Sequence, residues 1–413
     1  MHLRYSANEG ERGKTLPFAH LWLCGLRGTL AIMVYGLMFR PFPALPKDHS
    51  MNTSPASASA RLAIALLTLS VSLAAQQPVR QPTTAEQAPT RDSSYIDAQG
   101  TAHITRVIPV PQDLSPEAQR SISRQVPDEA PVQTLAERRA SQDANEQRHK
   151  AEWTRLCPNS IVETKIAGIP VHIVTPEGMP AANNDKVLIN LHGGSFNADS
   201  GSYAESIPVA GYSKMKVVAV LYRLAPEFPF PAAVDDGIAV YKELLKTYKP
   251  SHIAIYGTSA GASLTGEIAV RLKQLNLPMP GALGLFSTLD NFAFMDDSWS
   301  MYTLRGLAGH LDPPDGSTHD PYYVGSTNLK DPVLSPIYAD LHGLPPSLFI
   351  SSERDALLSS TANLHRAYLR AGVDARLVVF DGLPHAFWYD ANLPESIEAS
   401  HYMADFFAKE LSK

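Results

Sequence analysis

From about residue 157 onward the chain alternates between short, almost continuous apolar runs and longer segments with helical spacing. Strand-like runs lie at 161–166, 171–174, 186–191, 217–221, 253–256, 282–286, 348–350 and 376–380. Helical segments at 232–248, 260–272, 359–371 and 394–411 separate most of the later runs. A strand with no polar face has to be covered on both sides. Strands of that kind alternating with helices predict an α/β fold built on a mostly parallel sheet with helices on both faces. The stretch 289–346 breaks the rhythm. It is long and rich in Pro, Asp and aromatic residues, and it reads as an insertion near a ligand rather than another sheet unit.

The first 160 residues have a different texture. Segment 21–39 is largely apolar but carries Arg27. A central arginine costs roughly 2.5–3.5 kcal/mol on insertion scales, which makes a membrane span there marginal. After Met51, Arg61 precedes an apolar run at 62–73 that ends in Ala74 and Ala75. That order matches the basic, apolar and small-residue regions of a secretory signal. Residues 51–75 are therefore expected to be a signal peptide and 1–50 an upstream extension. The mature protein is expected to be exported and to lack a stable membrane span. The competing reading, a short buried helix at 62–75, is cut off by Gln76-Gln77-Pro78.

Residues 76–111 are rich in Pro, Gln and Thr and read as a flexible linker. Ser115-Pro116-Glu117 is a helix start, with an N-cap followed by proline at the first helical position. Segment 134–156 is charged and free of proline, with Leu135, Trp153 and Leu156 available to pack. These pieces predict a helical flap over the later domain.

Composition narrows the function classes. The 413 residues carry a net charge of -6 and no long basic block, which argues against a nucleic-acid partner. The two cysteines, Cys24 and Cys157, are far apart and lack metal-ligand spacing, so neither a disulfide framework nor a zinc site is expected.

Candidate chemistry centres on "IAIYGTSAGASLTGEIAVRL", residues 253–272. Gly257-Thr258-Ser259-Ala260-Gly261 follows a strand and opens an apolar helix. A serine on such a turn sits in strained backbone with its hydroxyl presented, and the flanking glycines let strand and helix approach. The helix start lends partial positive charge where an oxyanion would form. Serine needs a base at neutral pH. His385, in "VVFDGLPHAFWY", lies just past a strand in a Gly/Pro turn. His365 and His401 fall within helices, and His310, His319 and His342 within the insertion or its exit. Asp355, at the end of a strand in "FISSERDALLSS", completes the order Ser, Asp, His. Glu353 is its rival and Asp381 a weaker one.

With "HGGSF", "YRLAPEFPFPAAVDD", "GTSAG" and "ERDALLSS…GLPHAF" in this order and spacing, the chain resembles the hormone-sensitive-lipase-like branch of α/β-hydrolase carboxylesterases, and within it the bacterial Gly-Thr-Ser-Ala-Gly group. The resemblance covers about 109–413. It implies an eight-stranded sheet in a domain at 112–413, capped by about 112–156 and an insertion at about 289–346. It implies hydrolysis of small carboxylic esters or lactones with no cofactor and no metal. It implies that Gly193, Gly194 and Ala260 donate backbone N–H groups to the oxyanion, with His192 ordering the loop. It also gives 222–236 a supporting role. The family more often has glycine where Ser195 stands. A catalytically silent small-molecule binder on the same fold, or acyl transfer or amide cleavage by the same residues, are the alternatives.

Overall fold

All eight apolar runs pair into one sheet, in a computed structural model that describes residues 94–105, 107–124, 133–302 and 321–413. The expected upstream extension, the signal segment 51–75, most of the linker, and His310 and His319 lie outside the described residues. A two-stranded hairpin comes first, β1 (Tyr95–Ile96) with β2 (Ala102–His103). The main sheet comprises β3 (Asn159–Ile166), β4 (Ile169–Pro176), β5 (Val187–Leu191), β6 (Lys216–Val220), β7 (Ile253–Thr258), β8 (Ala282–Phe286), β9 (Ser347–Arg354) and β10 (Ala375–Pro384). Their order is β10-β9-β8-β7-β5-β6-β4-β3. The β3–β4 and β4–β6 pairs are antiparallel and every other pair is parallel.

Every residue of β5, β7 and β8 is buried, as unbroken apolar runs require. Successive side chains point to opposite faces. Val187, Ile189 and Leu191 enter one core with helices Ala232–Leu244, Ala260–Gln274 and Leu358–Arg370, whereas Leu188 enters a second core with Ser206–Ser213 and Pro394–Glu410.

The two N-terminal helical segments form where their caps dictate. In Pro116–Ile122, Ser115 Oγ accepts from Ala118 N at 3.1 Å, and Ser115 itself donates twice to Glu395 of the last helix. In Leu135–Leu156, Thr134 and Glu137 form a reciprocal capping box. Trp153 is fully buried and donates from Nε1 to Tyr389 O at 3.1 Å, which docks the helix on the domain. Leu156 corrects an expectation: it is 41% exposed, because the helix turns its last residue away from the core.

Three other differences have local causes. The linker expected through 111 contains the β1–β2 hairpin, whose turn is closed by Asp97 Oδ1 accepting from Gln99 N and Thr101 N. Helix Ser206–Ser213 was not anticipated; seven of its eight residues are buried, so it has no polar face to produce a helical period. The helix expected over 232–248 ends at Leu244, and its last residues continue as turns. No helix among the described residues is long and apolar enough to cross a membrane.

Candidate active site

The register of the parallel strands assembles the site. Leu191 of β5 pairs with Gly257 of β7, Phe286 of β8 with Thr258 of β7 and Ile350 of β9, and Pro384 of β10 with Arg354 of β9. The segments leaving β5, β7, β9 and β10 therefore emerge on one edge of the sheet. They carry His192–Phe196, Ser259, Asp355 and His385.

Ser259 stands between β7 and the next helix with φ 58° and ψ -121°, a conformation that costs a non-glycine residue on the order of 1–3 kcal/mol. The turn is held by Ser259 N donating to Phe286 O at 2.9 Å. Gly261 has to be glycine because a Cβ there would collide with Leu191 O. Elbow and strand end thus pack backbone to backbone, next to the loop that leaves β5.

Asp355 and His385 meet as the chain order predicts. His385 Nδ1 lies 2.8 Å from Asp355 Oδ1. The carboxylate also accepts from Leu357 N and Ser351 Oγ, both at 2.9 Å, and from Ser287 Oγ. Burial opposes charge on Asp355, but the His385 ring beside it and these donors hold its carboxyl below the usual range. Glu353 is exposed, and a hydrogen bond with Asp381 and partial burial push its carboxyl above the usual range. The two rival acids are partners of each other, not of the histidine. His342 pairs with Asp340, His365 Nε2 lies 3.3 Å from Ala375 O, and the His401 ring packs on Tyr212.

The loop after β5 departs from the expectation at one residue. His192 does order it: Nδ1 lies 2.8 Å from Gly193 O, the ring stacks on Tyr222, and Tyr222 Oη donates to His192 O at 2.7 Å. Residues Gly194, Ser195 and Phe196 take positive φ values of 113°, 53° and 59° in succession. Gly193 is the correction. Its N–H donates to the buried Glu205 Oε1 at 3.1 Å. Among the described residues, the N–H groups of Gly194, Ser195 and Ala260 have no hydrogen-bond partner.

Residues 222–236 support this loop as expected. Ala225 N donates to Phe196 O at 2.9 Å, and Asp236 holds Arg223 through its backbone N–H and its guanidinium. The Leu135–Leu156 helix also grips the loop. Arg138 Nε donates to Asn197 Oδ1 at 3.1 Å and Nη2 to Ser195 Oγ at 3.4 Å, while Arg139 Nε donates to Asn197 O at 2.7 Å. Glu146 accepts from Tyr203 N at 2.7 Å. From the insertion, the Tyr323 ring stacks on Phe196 and its hydroxyl donates to Glu267 Oε2 at 2.5 Å. A cavity of about 470 Å³ opens beside His385, bordered by Gln142, Asn145, His149, Ser200 and Tyr389. Glu205, Arg138 and Tyr389 had no motif to single them out, since their partners are remote in sequence.

A family model described as an alpha/beta hydrolase fold matches residues 188–389. The chain is similar to an acetyl-hydrolase of Streptomyces hygroscopicus, 32% identical over 227 residues, covering 53% of this chain and 74% of the relative. It is similar to the crystal structure of an esterase at TM-score 0.66 and 31% identity, covering 74% of this chain and 97% of the other. It is also similar to the structure of an esterase from the bacterial hormone-sensitive lipase family, at TM-score 0.61 and 29% identity, covering 72% of this chain and 99% of the other.

Proposed function

Because the chain belongs to the bacterial hormone-sensitive-lipase family of α/β-hydrolase esterases, a family of serine ester hydrolases, we propose that Ser259, His385 and Asp355 are its catalytic triad and small carboxylic esters its substrates. The observation that carries this reading is the buried 2.8 Å contact between His385 Nδ1 and Asp355 Oδ1, on the sheet edge that also holds the strained Ser259 turn. With Nδ1 committed to the carboxylate, Nε2 is the basic nitrogen.

Ser259 Oγ attacks the ester carbonyl carbon as His385 Nε2 takes its proton. The carbonyl oxygen becomes an oxyanion that accepts from the N–H groups of Gly194, Ser195 and Ala260. The imidazolium, stabilised by Asp355, returns the proton to the leaving alcohol as the C–O bond breaks. Water then attacks the acyl-enzyme with the same histidine as base, releasing the acid and restoring Ser259. Preorganised donors of this kind each contribute roughly 3–4 kcal/mol of transition-state stabilisation.

Similarity to an acetyl-hydrolase supports short acyl esters or lactones as the substrates. A hydrolysis panel tests this. p-Nitrophenyl butyrate should turn over far faster than emulsified long-chain triglyceride, and comparable rates on the two would sink the assignment of substrate size.

A further inference from the structure

Glu205 is 3% exposed, carries a carboxyl group and has no cationic partner among its hydrogen bonds. Burying such a group is unfavourable unless its lone pairs are satisfied. Here three donors converge on it. Asn190 Nδ2 of β5 lies 2.8 Å from Oε2, Gly193 N of the oxyanion loop 3.1 Å from Oε1, and Tyr389 Oη 2.6 Å from the same Oε1. Glu205 is fixed in turn, with its carbonyl accepting from Tyr256 Oη of β7 at 3.1 Å. Tyr389 lies four residues beyond His385, in the turn that presents the base. A Cβ on Gly193 would lie 2.8 Å from the Tyr389 hydroxyl, so loop and phenol are packed without slack.

The consequence is geometric. Two successive peptides share one Cα, so fixing the direction of the Gly193 N–H constrains where the next N–H groups can point. We propose that Glu205 is a positioning residue: by holding the Gly193 peptide against Tyr389 and Asn190, it aims the Gly194 and Ser195 N–H groups at the developing oxyanion and ties that loop to the histidine turn. This rests on the triad reading above. An apolar side chain of similar size would fill the same space with no buried carboxyl, so packing alone does not call for glutamate.

The test compares full-length Glu205→Leu, Glu205→Gln and Tyr389→Phe with wild type. It reads kcat and KM on p-nitrophenyl butyrate, Ki for a trifluoromethyl ketone that forms an oxyanion adduct, and thermal melting. Glu205→Leu should lower kcat by about 100-fold, the scale of losing an oxyanion donor, with KM within about threefold and the ketone weakened in proportion. Glu205→Gln keeps an oxygen for the Gly193 N–H and should recover activity to within about tenfold of wild type. A Glu205→Leu enzyme that melts differently but retains kcat and ketone affinity overturns the proposal. Should that variant fail to fold, Tyr389→Phe decides. A fall in kcat of about fivefold at constant KM supports positioning, and an unchanged kcat overturns it. Fluorophosphonate labelling of wild-type Ser259 separates the two readings: an unlabelled Ser259 overturns the triad, whereas a labelled Ser259 with an unaffected Glu205→Leu overturns the positioning role alone.

Discussion

His385 Nδ1 lies 2.8 Å from Asp355 Oδ1, and both side chains are fully sealed from solvent. Glu353, two residues away, is still in β9 and exposed, whereas Asp355 follows the end of the strand, in a turn where its N–H donates to Ser352 O at 3.2 Å. Asp355→Asn should therefore lower kcat by about 10⁴-fold, since the histidine loses both its orientation and its counter-charge. Glu353→Gln should stay within about threefold, as it touches neither the histidine nor the serine. Steady-state kinetics on folded variants check both; the opposite ranking would remove Asp355 from the triad.

Ser195 and Ser259 separate on chemistry. Ser195 has a φ of 53° and accepts from Arg138 Nη2 at 3.4 Å. Glycine at 195 relieves the backbone strain and loses a long hydrogen bond, so Ser195→Gly should keep kcat within about tenfold, or roughly 1.4 kcal/mol in barrier. Ser259→Ala should abolish the acyl-enzyme. Fluorophosphonate labelling followed by peptide mass spectrometry reads the difference, and a labelled Ser195 beside an unlabelled Ser259 would reverse the assignment.

Burial raises the Glu205 carboxyl from 4.5 to about 8, with its three donors opposing the shift and Glu146 adding to it. Tyr222, Tyr256 and Tyr389 are the other titratable groups that face it. The folded state then binds this proton more tightly than the unfolded chain. The associated stability is fully present below the unfolded value and is lost as pH rises through the folded one. Melting temperature should fall more steeply between about pH 4.5 and about pH 8 in wild type than in Glu205→Gln, whose amide does not titrate. Parallel melting curves would show that the carboxyl is not proton-linked to folding.

Trp153 anchors the Leu135–Leu156 helix with no exposed surface and an indole hydrogen bond to Tyr389 O. Trp153→Ala should destabilise the protein by about 3–5 kcal/mol, the range for deleting a large buried ring. Denaturant unfolding measures this, and a loss under about 1 kcal/mol would mean that the helix is not docked through the indole.

The Arg61-to-Ala75 pattern motivates export. Expressed from Met51 in a bacterium with a compatible secretion system, the protein should mature to an N-terminus near Ala75 or Gln76. N-terminal sequencing decides it; cytoplasmic enzyme that retains the apolar run counts against the signal.

The sequence by itself determined the eight strands, the Ser259 elbow and the chain order of Ser259, Asp355 and His385. Each of these is a local signal, whether a run with no polar face, glycines around a strained turn, or a polar residue at a strand end. The hydrogen-bond direction of Gly193 was beyond it. "HGGS" marks a loop that can approach a substrate, but which N–H turns inward depends on Glu205, twelve residues on, and on Tyr389, nearly two hundred residues on. Helix Ser206–Ser213 stayed hidden because burial on all sides erases the apolar–polar period that reveals a helix. The choice between Asp355 and Glu353 was decided past the end of β9, where the chain turns and carries Asp355 to a histidine arriving from β10. Periodicity reports which faces are buried; only the packed sheet decides which polar atoms meet there.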